Sequence, residues 1–128
     1  MLREEIKNCM VALNINGEHF DASFVFPADF TGFRGHFPGQ PILPGVCTVQ
    51  AVLVALQAWK GQPVKLQEIT NAKFFAPVAP GEELLFSCEA GAASAEPTLV
   101  KALISNNGKR IARIKLKVTC PGPGETRG

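Results

Sequence analysis

The chain has 128 residues, 46% hydrophobic and 19% charged, with a formal net charge of +2. Such a chain is long enough for one domain with a core and too apolar to be disordered. A charge this small argues against a nucleic-acid partner. The longest apolar run is interrupted by Gln50 and Gln57, so we expect no membrane span. The first ten residues include two glutamates and lack the pattern of a signal peptide. We therefore expect a cytoplasmic protein.

Residue patterns along the chain predict two strands, a long helix and then four strands. Alternating apolar residues mark the strands, and Asn16-Gly17 and Asn107-Gly108 mark tight turns. Such turns join antiparallel strands, so we expect an α+β fold in which a curved sheet wraps the helix. The predicted elements are a short helix over 2–7, strands over 10–15 and 18–26, an irregular connector over 29–35, a buried helix over 46–59, and strands over 64–77, 83–92, 98–105 and 109–120. Residues 1–120 form the single predicted domain, and 121–128 form a tail expected to be disordered.

The helix predicted over 46–59 is apolar on nearly every side, which indicates that it is buried. Gln50 is the exception, about one and a half turns from its start. An amide buried without partners costs about 1–3 kcal/mol, so Gln50 needs a hydrogen-bonding role. One interpretation is a core amide that caps a strand carbonyl, and the other is a role in a functional site.

The four cysteines lie far apart, and no C-x-x-C pair occurs. This spacing predicts no zinc site, and a reducing compartment disfavours disulfides. Cys47 near His36 allows a nucleophile, but a small apolar residue at a helix start favours packing. We expect neither a metal nor a cofactor. The cysteines are Cys9, Cys47, Cys88 and Cys120.

The segment before the helix reads GHFPGQPILPGV over residues 35–46. Its three prolines fix φ and remove amide donors, so they hold His36 in a rigid loop. The segment resembles the signature loop of the 3-hydroxyacyl-[acyl-carrier-protein] dehydratases, H-F-P-x-x-P-x-x-P-G-V followed after three residues by Glu or Asp. Seven positions match, and the acidic one falls on Gln50. A second stretch, over 69–82, is similar to the K-F…P-V-x-P-G-D strand and turn of that family.

The resemblance implies a hot-dog fold and an enzyme that removes water from 3-hydroxyacyl thioesters, giving 2-enoyl products in fatty-acid, related lipid or polyketide synthesis. His36 then acts as the base, because a neutral imidazole accepts a proton at working pH. The amides of Gly45 and Val46 lie where a helix start favours an oxyanion. Phe33, Phe37 and Pro44 are candidates for the wall of an acyl tunnel, although aromatic core explains the phenylalanines equally well.

Gln50 replaces the acidic residue that the resemblance implies. An amide donates hydrogen bonds but supplies no proton, so dehydration at a reduced rate is the favoured outcome. The alternatives are a hot-dog thioesterase and a non-catalytic acyl-binding protein. The implied partners are acyl carrier protein, which the basic face of Arg113, Lys115 and Lys117 suits, and further copies of the chain. These copies form a homodimer, in which His36 of one chain meets position 50 of the other, or a trimer of dimers.

Overall fold

The computed structural model describes residues 2–34, 41–91 and 97–120. His36, Phe37 and the predicted tail over 121–128 lie outside these ranges. The elements in chain order are α1 (Leu2–Lys7), β1 (Met10–Asn16), β2 (His19–Val25), a 3-10 turn (Thr31–Phe33), α2 (Gly45–Lys60), β3 (Lys65–Phe74), β4 (Glu83–Ala90), β5 (Thr98–Asn106) and β6 (Lys109–Thr119). The predicted α+β order of elements is confirmed.

Helix α2 is the central element, and its ends follow from residue chemistry. Pro44 precedes the first turn in an extended conformation, which suits a residue without an amide hydrogen. Gly61 ends the helix at φ 72°, and its N–H donates to the carbonyl of Gln57 at 2.8 Å. Nine of its residues between positions 47 and 56 are buried. The prediction of a helix covered on most sides is confirmed.

The six strands form one antiparallel sheet in the order β1-β2-β4-β5-β6-β3. Strand β2 therefore pairs with β4, although α2 and β3 separate them along the chain. Strand β3 pairs with β6 and lies at one edge of the described sheet. The sequence patterns predicted the strands but not this order, because pairing depends on which edges meet after the helix crosses the sheet.

An aromatic core packs α2 against the sheet. Phe20, Ala22 and Phe24 alternate along β2 and have no exposed surface, so one face of this strand is buried. Trp59 stacks on Phe20 with ring centroids 5.0 Å apart and donates from Nε1 to the carbonyl of Gly17 at 3.0 Å. These contacts hold the C-terminal end of α2 against the hairpin of β1 and β2.

Strand β3 is largely exposed within one chain. The sequence indicates that Leu66, Ile69 and Phe74 or Phe75 supply its apolar side, yet the strand buries little. Ile69 is 47% exposed and Phe74 is 50% exposed. An apolar strip at a sheet edge is a surface that a partner normally covers.

Both tight turns form. Asn107 and Gly108 take positive φ values of 51° and 81°, as predicted for the second turn. In the first turn only Gly17 has positive φ, because Asn16 remains in β1 and pairs with His19.

Within the described ranges, no helix combines the length and apolar character that crossing a membrane requires.

Candidate active site

The N-terminus of α2 presents two amides at its positive end. The first hydrogen bonds of the helix run to the carbonyl of Pro44, from Cys47 N–H at 3.0 Å and Thr48 N–H at 3.4 Å. The backbone N–H groups of Gly45 and Val46 come before these bonds in the helix. Neither donates a backbone hydrogen bond to another described residue. Two N–H groups at a helix start favour a developing negative charge.

Gly45 lies in close contact with β3. A Cβ atom placed on it would come within 2.9 Å of Cζ of Phe74, which is shorter than side chains tolerate. Glycine therefore lets the phenyl ring and the helix start approach each other. This contact brings the edge strand beside the two helix amides.

A pocket of about 310 Å³ lies between the start of α2 and β3. It includes both candidate oxyanion residues and Gln50, while its other walls are apolar. The structure thus brings together three of the site residues predicted from the sequence. The lining residues are Gly45, Val46, Val49, Gln50, Leu66, Ile69, Ala72 and Phe74.

Gln50 is partly buried and held by a residue of α1. Nε of Arg3 donates to Oε1 of Gln50 at 2.7 Å, and Nη1 of Arg3 donates to Oε1 of Gln57 at 3.1 Å. Among the described residues, the hydrogen-bond partner of the Gln50 side chain is therefore a guanidinium. It is not a strand carbonyl, as the interpretation of Gln50 as a core amide requires. Gln50 and Gln57 are seven residues apart and share one helix face, so one side chain contacts both.

The acyl-tunnel candidates lie in different surroundings. Phe33 is 5% exposed and packs edge-on against Phe30 at 5.9 Å, so it belongs to the aromatic core. Pro44 precedes α2 but does not line the 310 Å³ pocket. Phe37 and His36 lie outside the described residues.

Cys47 is buried and does not have the environment of a nucleophile. Burial, and then the carboxylate of Glu5, raise the pKa of the Cys47 thiol, which favours the unreactive protonated form. The packing interpretation of this cysteine is supported. Among the described residues, no cluster of His, Cys, Asp and Glu is suited to hold a metal ion.

Sequence reasoning missed Arg3 and the contribution of β3. The spacing of Gln50 and Gln57 was the available signal for Arg3, because two amides on one helix face invite a shared donor. For Ile69, Ala72 and Phe74 the sequence carried no signal, since their proximity to Gly45 depends on the position of β3 at the sheet edge.

The family whose sequence model matches this chain is described as 'ApeI-like: ApeI dehydratase', and the match covers residues 12–113. The chain belongs to the ApeI-like dehydratase family. This match covers both tight turns, α2 and β3, the strand that lines the pocket. The family prediction made from the signature loop is thereby confirmed.

Curated relatives of this ApeI-like chain carry the name 3-hydroxyacyl-[acyl-carrier-protein] dehydratase FabZ. The protein from Enterococcus faecalis is 32% identical over 91 residues, covering 66% of this chain and 64% of the relative. The protein from Ligilactobacillus salivarius is 38% identical over 98 residues, covering 69% and 62%. The chain thus spans less than two thirds of the length of these relatives.

Solved structures confirm the hot-dog fold for this member of the ApeI-like family. The dehydratase heterocomplex ApeI:P from Xenorhabdus doucetiae matches with a TM-score of 0.75 at 23% identity, covering 87% of this chain and 96% of that one. Cj0977, a sigma28-regulated virulence protein from Campylobacter jejuni, matches with a TM-score of 0.69 at 14% identity, covering 94% and 95%. At these identities the likeness concerns the fold.

Proposed function

We propose that this protein is a hydro-lyase that removes water from 3-hydroxyacyl thioesters on acyl carrier protein and forms 2-enoyl thioesters. The observation that carries the proposal is the pocket at the start of α2, where the amides of Gly45 and Val46 meet Gln50. Family membership supports the reaction class, and the apolar walls suit an acyl group. The proposed location is the cytoplasm.

The proposed chemistry divides the reaction among three groups. Neutral His36 takes the proton from C2, while the amides of Gly45 and Val46 stabilise the charge that develops on the thioester oxygen. The bond between C3 and the hydroxyl oxygen then breaks as the C2–C3 double bond forms. The leaving hydroxyl takes the proton back from His36 and departs as water. Gln50 donates a hydrogen bond to that hydroxyl from its NH₂ group.

A dimer supplies the covering that the pocket needs. Val46 is 61% exposed, and with Ile69 and Phe74 it forms an apolar rim along the edge strand. A second copy placed on this rim would exclude water from the pocket, and it would pair His36 of one chain with Gln50 of the other. A trimer of such dimers is compatible with the same edge. One solved relative is a heterocomplex, so a related chain of different sequence is the alternative partner.

The outer face of the sheet carries a basic groove that suits an acidic acyl carrier protein, the protein that would bear the substrate. A groove of about 390 Å³ is lined by four basic side chains from β5 and β6, together with His19 and Glu89. The positive electrostatic potential of these four side chains would attract an acidic partner over distances of about a Debye length. The basic residues are Lys101, Arg110, Arg113 and Lys115.

The neutral amide at position 50 is the observation that favours a second candidate, a non-catalytic acyl-binding protein. A thioesterase has less support, because α2 between Val46 and Trp59 contains no carboxylate to activate water. The three functions differ in product. The dehydratase yields a 2-enoyl thioester, the thioesterase yields a free acid and a thiol, and the binding protein yields neither.

The test incubates the purified protein with a 3-hydroxyacyl thioester on acyl carrier protein and follows all three species by mass spectrometry. We expect 2-enoyl thioester from the natural sequence. His36→Ala should lower its formation by about 10²–10⁴-fold, the usual contribution of general acid–base catalysis. His19→Ala is the matched control, and it is compared with His36→Ala on a 3-hydroxyacyl thioester of a small thiol, because His19 lines the proposed carrier groove. His19 is exposed and bonds to Ser87 at 3.2 Å, away from the pocket. Absence of 2-enoyl product from the natural sequence would reject the proposal.

A further inference from the structure

The guanidinium of Arg3 is placed between two neutral amides. It donates to Gln50 and to Gln57, and no carboxylate lies within ion-pair distance among residues 2–34, 41–91 and 97–120. Arginine on a protein surface usually pairs with an acid or remains in water. A partly buried arginine whose side-chain hydrogen bonds, among the described residues, go to two amides of the central helix calls for a different account.

This contact determines which way the Gln50 amide faces. A guanidinium has only donors, so the oxygen of Gln50 has to face Arg3, and the NH₂ group has to face away. Gln50 also lines the pocket beside Gly45 and Val46, whereas Arg3 lines a separate pocket that includes Gln57. The amide therefore lies between the two pockets, with its acceptor occupied on the side of Arg3.

Arg3 is itself held in place. Oε1 of Gln57 accepts both from Nη1 of Arg3 at 3.1 Å and from the backbone N–H of Val64 at 3.2 Å. Val64 comes directly before β3, so Gln57 links α1, α2 and the start of the edge strand. Two hydrogen bonds in fixed directions restrict the rotation of the guanidinium.

We propose that Arg3 is a positioning residue for dehydration: it holds Gln50 with its NH₂ group directed into the pocket, as the donor to the leaving hydroxyl. A cation on the carbonyl oxygen also withdraws electron density from the amide, which strengthens its N–H donors. The inference rests on the proposed function. It explains how a residue that supplies no proton still assists the departure of the hydroxyl group as water.

The inference also makes a prediction about the acidic residue that the family signature has at position 50. A glutamate introduced at position 50 would pair with Arg3 and stay ionised, because a nearby cation lowers a carboxyl pKa. Arg3→Met removes that cation, so the pKa of the same glutamate would rise. Gln50→Glu restores an acid and should raise the rate at pH values below the pKa of its carboxyl group. This gain should extend to a higher pH, by roughly one pH unit, when Arg3→Met is also present.

The test is a double-mutant cycle of Arg3→Met and Gln50→Leu, with kcat and KM for 2-enoyl formation measured in all four proteins. Arg3→Met should lower kcat roughly tenfold, as expected for one positioned hydrogen bond, with KM within about twofold. In the Gln50→Leu background the same change should have no further effect. Arg3→Lys should recover part of the loss, since one ammonium keeps the charge but does not reproduce the fork.

Lys7→Met is the matched control, because Lys7 is an exposed base on the same short helix, and it should leave kcat unchanged. The inference is overturned if Arg3→Met has no effect, or lowers kcat equally with and without Gln50. If Arg3→Met does not fold, Arg3→Lys decides, because it should lower kcat in the natural sequence and leave it unchanged beside Gln50→Leu. Loss of 2-enoyl product from the natural sequence itself would instead reject the proposed function.

Discussion

The ring of Phe74 lies against Gly45, so closely that a Cβ atom on Gly45 would approach Cζ of Phe74 to 2.9 Å. This relationship joins the first residue of α2 to the last residue of β3. The opposing atom is the far end of a half-exposed side chain, so the ring has room to swing outward. The glycine is thus needed for the shape of the pocket more than for the fold.

Gly45→Ala should separate these two requirements. We expect a loss of under about 1 kcal/mol in the free energy of unfolding, because the phenyl ring moves and the position suits a helical residue. The displaced ring and the new methyl group should misplace the thioester and lower kcat/KM by roughly 10²-fold. Urea unfolding and the 2-enoyl assay measure the two effects. Equal activity of this variant and the natural sequence would remove Gly45 from the site.

The exposed strip on β3 should control assembly. Ile69→Lys introduces a charge at the proposed interface and should weaken the dimer by at least about 10²-fold, as for a central interface residue. Leu103→Lys is the control, because Leu103 is 51% exposed on β5, away from the edge. Sedimentation at several concentrations distinguishes monomer from dimer. Dissociation by Leu103→Lys, with Ile69→Lys still dimeric, would place the interface elsewhere.

Buried Cys88 should make stability fall at alkaline pH. Burial, and then the charge of Asp21, raise the pKa of this thiol from 9.0 to about 12. Above pH 9 the unfolded chain gives up this proton while the folded chain keeps it, so the free energy of unfolding falls as pH rises toward 12. The slope due to this group approaches about 1.4 kcal/mol per pH unit. Urea unfolding at pH 8 and 10 should show a smaller decline for Cys88→Ala.

Trp59 reports on the contact between α2 and the first hairpin. Trp59→Phe keeps a ring beside Phe20 but loses the hydrogen bond to the carbonyl of Gly17. We expect a cost of about 1–2 kcal/mol in the free energy of unfolding, from the lost bond and the smaller ring. Trp59→Leu should cost more, because the stacking is lost too. Urea unfolding followed by circular dichroism measures both, since the variants lack the tryptophan of the chain.

Much of the fold was predictable from local signals. Signals that act over a few neighbouring residues can be seen in the sequence. They are the alternation of apolar residues in β2 and β6, the Asn107-Gly108 turn and the long apolar stretch of α2. The place of β3 at the sheet edge was not predictable in this way. Its Ile69 and Phe74 resemble core residues in the sequence, which fits the proposed interface, because a surface that a partner covers has the composition of a core.

The site was predictable where the signature loop and helix start specify it. Gly45, Val46 and Gln50 meet at one pocket because they lie within two turns of one helix. Arg3 lies 47 residues from Gln50 along the chain, and only the packing of α1 on α2 brings them together. Local patterns do not encode contacts of that kind.

The edge of β3, which has no further strand beside it in the described sheet, bears on how the proposed dimer would select its partner. Backbone amides and carbonyls are alike in every polypeptide, so a β-bridge along this edge does not distinguish an identical subunit from a paralogue. Discrimination therefore lies with the few side chains that flank it, Val46, Ile69 and Phe74 among them. In the proposed dimer, a change of one or two of these residues would shift the preference from an identical subunit to a paralogue without altering the interior of either protein.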